Sequence, residues 1–262
     1  NLEHEFRLGT GVRRRPRLHA AEHDDYAWLD IPDAAERATA WTNRAAIRAL
    51  DSDPAQTTVV LVHGLWIGPQ SMRLLARRLR AFGFAVARFP WRTTGETPAT
   101  AAARLAGQVA ALEGRVVHYV GHSMGGLVLS ELFNHHRPAR TGRAVLLGSP
   151  LQGAIAAHGV IRRGLGGTLG AAAGPLTEGA TDWPGDVPVA RIAGVRGCGP
   201  GVVSGSLPKP HDGTVALADL RGPRGPLRLA RTTHLGLLLS ARVARMTARY
   251  LRDGALPAYR RA

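Results

Sequence analysis

Gly121-His122-Ser123-Met124-Gly125-Gly126 is the stretch of this 262-residue chain whose residue types and spacing bear most directly on chemistry. Glycines two before and two after a serine permit a sharp, strained turn in which larger side chains would meet neighbouring backbone. The apolar run Val116-Val117-His118-Tyr119-Val120 feeds the turn, and a helical pattern from Met124 to His136 leaves it. A strand, a tight turn and a helix in that order lift a serine hydroxyl out of a sheet, where a base can reach it. The turn also sets the Met124 N–H at a helix N-terminus, where it can stabilise negative charge developing on an attacked carbonyl oxygen. The expected chemistry is acyl transfer, with Ser123 as nucleophile.

A second stretch complements the first. The strand Thr58-Val59-Val60-Leu61-Val62 ends in His63-Gly64-Leu65-Trp66. Gly64 lets this loop fold close to Ser123, which makes the Leu65 N–H the natural second donor to an oxyanion. Trp66 either lines an acyl or alcohol pocket or packs against its own loop.

These segments, with Gly148-Ser149-Pro150-Leu151-Gln152-Gly153 and His211-Asp212-Gly213-Thr214-Val215, resemble the bacterial lipase and esterase branch of the α/β-hydrolase superfamily. The resemblance runs from about residue 55 to the end. It implies a mostly parallel central sheet flanked by helices, a carboxylic ester as substrate, no cofactor and an acid–histidine pair late in the chain. The superfamily orders its catalytic residues serine, acid, histidine. Asp212, in Asp-Gly-x-Val, matches the family's acid. The rival carboxylates are Asp182 and Asp186, which precede the strand expected at Val187 to Ala193, and Asp219, close to the last strand. His234, just past that strand, matches the base, and His211 is the other late histidine. His63 precedes the serine and so falls outside this order. His63, Trp66 and His122 are expected beside the substrate, with Leu65 and Met124 as the oxyanion hole. No metal is implied. His135 and His136 are adjacent on a helix and point in different directions, so they make a poor ligand pair.

Positioning these residues takes alternating strands and helices, and the sequence supplies them. Short apolar runs at 57–62, 84–89, 116–120, 144–147, 187–193 and 227–230 alternate with amphipathic stretches at 69–82, 98–112, 124–136 and 235–251, a pattern that predicts βαβ units. One catalytic domain is expected over 55–262, preceded by an arm and a helix in 1–54. Residues 152–188 break the pattern with Gly and Ala, and are read as a lid or cap over the site.

Bulk composition narrows the field. The formal charge is +15, from 34 basic and 19 acidic residues, but Lys209 is the sole lysine and the arginines are scattered. The one dense cluster, Arg13-Arg14-Arg15-Pro16-Arg17, lies in the N-terminal arm, so no specific nucleic-acid surface is expected. Cys198 is the single cysteine and rules out an intrachain disulfide. No apolar run reaches the roughly 18 residues that a spanning helix needs, and Asn1 to Thr10 are polar and charged, unlike a signal peptide, so the chain is expected to be soluble, with the cytoplasm favoured and its location otherwise open. The expected partner is a small-molecule ester or lipid. An acyltransferase working through the same triad, or a non-catalytic binding protein on the same scaffold, are the other readings.

Overall fold

The computed structural model describes residues 57–112, 114–180, 182–199 and 207–256. The expected arm and helix of 1–54 and the arginine cluster at 13–17 lie outside the described residues. Strands β1 (Thr57–Val62), β2 (Ala85–Phe89), β3 (Val116–His122), β4 (Thr141–Leu147), β5 (Val189–Gly194) and β6 (Leu227–Ala230) form one sheet in the order β2-β1-β3-β4-β5-β6. Every neighbouring pair is parallel.

Parallel strands need long crossovers, which helices supply here. These are α1 (Arg73–Ala81), entered through a 3-10 turn at Pro69–Met72, α2 (Pro98–Ala110), α3 (Gly125–His135), α4 (Ile155–Arg162), α5 (Ala173–Glu178), α6 (Gly236–Leu239) and α7 (Ala241–Asp253). The helices bury the sheet on both faces, so β1 is apolar at every position from Val59 to Val62. Val60 and Val62 join Tyr119, Leu105, Leu127 and Phe133 on the face covered by α2 and α3. Val59 and Leu61 join Leu75, Leu79, Val243 and Leu251 under α1 and α7. That continuous apolar run is what a central parallel strand requires.

Helix boundaries follow local chemistry. Thr97 caps α2, its hydroxyl accepting from Thr100 N, and Pro98 sits in the first turn where its missing N–H costs nothing. The closing helix, expected as one piece over 235–251, is two. Ser240 adopts an extended conformation, ends α6, and caps α7 by accepting from Val243 N at 3.3 Å. A serine inside an amphipathic pattern competes for the backbone in this way, and the apolar periodicity carries across the break.

The 152–188 stretch is more regular than its composition suggests. It holds α4 and α5, joined through 3-10 turns at Gly166–Thr168 and Gly170–Ala172. Alanine is the strongest helix former, and short helices assemble here wherever its apolar neighbours find a core. Ala154, Ala157, Leu169, Ala172 and Leu176 are buried with the α2–α3 face, whereas Ile155, Ile161 and Leu165 stay exposed. Among the described residues, no helix is long and apolar enough to cross a membrane.

Candidate active site

The candidate site residues gather at the carboxyl ends of the strands, the edge where open parallel sheets place their sites. His63-Gly64-Leu65-Trp66 follows β1, Ser123 follows β3, Asp212 lies between β5 and β6, and His234 follows β6.

Ser123 has φ 54°, in the left-handed region, which costs a non-glycine residue roughly 1–2 kcal/mol. The surroundings enforce it. Ser123 N donates to Leu147 O at 2.9 Å, and Gly126 N donates to Ser123 O at 3.0 Å. A Cβ on Gly125 would lie 2.2 Å from Val62 O, so the turn can press against the end of β1 only with glycine there. At Gly64, a Cβ would lie 2.6 Å from Ser123 Cβ and 3.2 Å from its Oγ, so the loop after β1 lies directly on the serine. Neither the Leu65 nor the Met124 N–H donates a hydrogen bond among the described residues.

Asp212 and His234 are both buried, at 1% and 7% exposure. His234 Nδ1 and Asp212 Oδ2 are 2.6 Å apart. The other carboxylate oxygen accepts from Thr214 N at 3.0 Å and Val215 N at 2.8 Å. His234 N also donates to Asp212 O at 2.9 Å. Two backbone donors and a ring N–H fix the carboxylate, and a carboxylate at Nδ1 selects the tautomer whose Nε2 carries the lone pair.

His122 joins this pair to the serine. Its ring centroid lies 4.7 Å from that of His234, and its Nε2 donates to His234 O at 3.1 Å. Burial holds the His122 imidazole well below its ordinary range, with the neighbouring His234 and His63 adding to the effect and the His234 carbonyl opposing it. Ser123 Oγ makes no hydrogen bond to His234 among the described residues, where the ring's Nδ1 is taken by Asp212.

The other expected residues divide cleanly. His63 is fully buried, with Nδ1 3.1 Å from Gly64 O, and its carbonyl accepts from Trp91 Nε1 at 3.0 Å. Burial lowers its pKa. Trp66 is 56% exposed with φ 57°. Its backbone N donates to Thr93 Oγ1 at 3.2 Å and its indole N–H to Thr168 O at 3.0 Å, which ties the loop after β1 to the 152–188 stretch. Asp182 and Asp186 are exposed. Asp219 is buried, and its carboxylate accepts backbone N–H groups, not a histidine. His211 Nδ1 accepts from Gly213 N at 3.2 Å. His135 Nε2 pairs with Glu131 Oε2 at 3.5 Å, and no group of three or more metal-ligating side chains occurs among the described residues. Sequence reading missed Thr93, whose only signal is a hydroxyl in the loop after β2, and the backbone-binding role of Asp219.

A model of the alpha/beta hydrolase family matches residues 59–261. The chain belongs to that family. Among solved structures, this alpha/beta hydrolase is similar to the mature lipase BlEst2 of Bacillus licheniformis, with TM-score 0.59 and 20% identity over 71% of this chain and 88% of that one. A metagenomic carboxyl esterase gives TM-score 0.61 and 20% identity, covering 77% of each chain. The meta-cleavage product hydrolase of Pseudomonas fluorescens gives 0.55 and 16%, over 76% of this chain and 92% of that one. At these identities the likeness speaks for the alpha/beta hydrolase fold. None of the curated proteins matches the chain by sequence.

Proposed function

We propose that this alpha/beta hydrolase cleaves carboxylic esters through Ser123, His234 and Asp212. The observation that carries the reading is the buried 2.6 Å contact between His234 Nδ1 and Asp212 Oδ2, set beside the strained serine turn. In this mechanism His234 Nε2 takes the Ser123 proton as Oγ attacks the ester carbonyl. The tetrahedral oxyanion is met by the Leu65 and Met124 N–H groups, whose donors are unspent in the resting protein. Asp212 holds the imidazole orientation and stabilises the imidazolium. The C–O bond then breaks, the leaving alcohol takes the proton from His234, and an acyl group stays on Ser123. Water, deprotonated by His234, attacks the acyl-enzyme and releases the free acid, which returns the serine. The names of the similar structures, a lipase and a carboxyl esterase, support an ester or lipid substrate.

The test is turnover of a p-nitrophenyl ester series, with a serine-directed phosphonate as covalent probe. Wild type is expected to hydrolyse the esters and to carry one phosphonate on Ser123, and Ser123→Ala to do neither. Full turnover in Ser123→Ala, or labelling elsewhere, rejects the assignment.

A further inference from the structure

Asp219 shares the loop between β5 and β6 with Asp212 and is almost as deeply buried, at 4% exposure. The two carboxylates divide three consecutive backbone donors. Asp212 Oδ1 takes Thr214 N and Val215 N, and Asp219 Oδ2 takes the next, Ala216 N, at 3.2 Å. The same Asp219 oxygen accepts from Ile155 N at 3.4 Å. Ile155 opens α4, and its N–H is one of the donors that a helix start cannot satisfy internally. A carboxylate there also complements the helix dipole. The backbone adds a third tie, since Gln152 N donates to Asp219 O at 3.3 Å.

We propose that Asp219 is a positioning residue that couples residues 152–162 to the loop aiming Asp212 at His234. A shift of α4 pulls on the oxygen that holds Ala216 N, and Ala216 adjoins the residues that clamp the acid. The coupling rests on the proposed roles of Asp212 and His234. Burial raises the Asp219 carboxyl above its usual range, with the Asp212 charge adding to this and the two N–H groups and His158 of α4 opposing it. Arg191 of β5 is also near, its Nη1 donating to Leu220 O at 2.8 Å.

The decisive variant leaves Asp219 in place. Ile155→Pro deletes the α4 donor together with the side chain, at a first helical position that proline suits, after Ala154, whose extended backbone tolerates a following proline. Ile155→Ala, which keeps the N–H, is its control. Hydrogen exchange is followed in 212–219, together with kcat and KM for p-nitrophenyl esters normalised to phosphonate-titrated sites. Ile155→Pro is expected to speed exchange of the 214–216 amides and to lower kcat about tenfold with KM within about twofold, while Ile155→Ala does neither. Asp219→Asn keeps an acceptor oxygen and is expected to hold kcat within about threefold. Unchanged exchange at 214–216 in Ile155→Pro overturns the coupling whether or not esters are turned over. So does a loss of kcat in Ile155→Ala equal to that in Ile155→Pro, which would trace the effect to the side chain and not to the N–H. Absence of ester turnover in wild type rejects the ester reading, and the exchange result still decides the coupling.

Discussion

The serine turn and the 152–188 stretch meet near the same sheet edge, yet they are held in different ways. Backbone touching backbone holds the turn: the missing Cβ of Gly125 would sit 2.2 Å from Val62 O, and that of Gly64 2.6 Å from Ser123 Cβ. The 152–188 stretch is mixed: a Cβ on Gly153 or Gly170 would lie 2.7 Å from Thr177 O or 2.2 Å from Thr94 O and Leu169, Ala172 and Leu176 are buried, whereas its 161–168 part is tied by hydrogen bonds such as Trp66 Nε1 to Thr168 O. Ile161 and Leu165 stand exposed there, and a Cβ on Gly167 would meet nothing within 4 Å. Close-packed backbone has no room to adjust, whereas exposed hydrogen bonds can re-form with small losses. The candidate Ser123 turn thus sits on close-packed backbone, and the part with room to vary is the exposed 161–168 segment.

The largest effect should come from the acid on the rigid side. Asp212→Asn keeps the shape but favours the wrong imidazole tautomer, so kcat for p-nitrophenyl esters is expected to fall about 10⁴-fold. A loss under tenfold would move the acid's role elsewhere. Glycine substitutions test the contrast itself. Gly125→Ala is expected to cost about 3 kcal/mol or more in urea unfolding, since a carbonyl has to give way. Gly167→Ala should unfold with wild type, and equal costs at the two sites would erase the distinction.

A third prediction concerns β3 below the turn. Burial foremost, then the Arg143 charge, lowers the His118 pKa to about 4. Its Nδ1 accepts from Arg143 N at 2.8 Å. The folded protein therefore binds this proton less readily than the unfolded chain. The stability it contributes is complete above the unfolded value of 6.5 and drains as pH falls towards about 4, by roughly 2–3 kcal/mol. His118→Gln, which keeps an acceptor for Arg143 N, should flatten that part of the pH–stability curve, and an unchanged slope would assign the acid sensitivity to other groups. The smallest effect belongs to the exposed tie. Trp66→Phe removes the bond to Thr168 O and should change stability by under about 1 kcal/mol, with KM for long acyl chains shifting no more than about threefold.

Some of this was legible in the sequence for identifiable reasons. The serine turn is local: its glycines, strand and helix are contiguous, and each is demanded by sterics within a few residues. Buried strands announce themselves by continuous apolar runs, as at Val59–Val62. The break at Ser240 was written as a cap but lay hidden inside an unbroken apolar period. Residues 152–188 offered little contrast, because Gly and Ala populate loops and short helices alike, and their helices are settled by which alanines and leucines reach the α2–α3 core.

The sequence by itself determined the fold family, the strained turn at Ser123 and the order of candidate residues, because each rests on interactions between near neighbours or on burial that a pattern of side chains records. Only the tertiary structure shows the 2.6 Å contact between Asp212 and the His234 ring, with Asp219 bound to backbone N–H groups instead. It alone set His122 between His234 and the serine turn, and gave Asp219 a hold on two segments far apart in the chain. Those relations depend on angstrom-scale contacts between distant residues, fixed by how helices pack on the sheet and invisible in the spacing of letters.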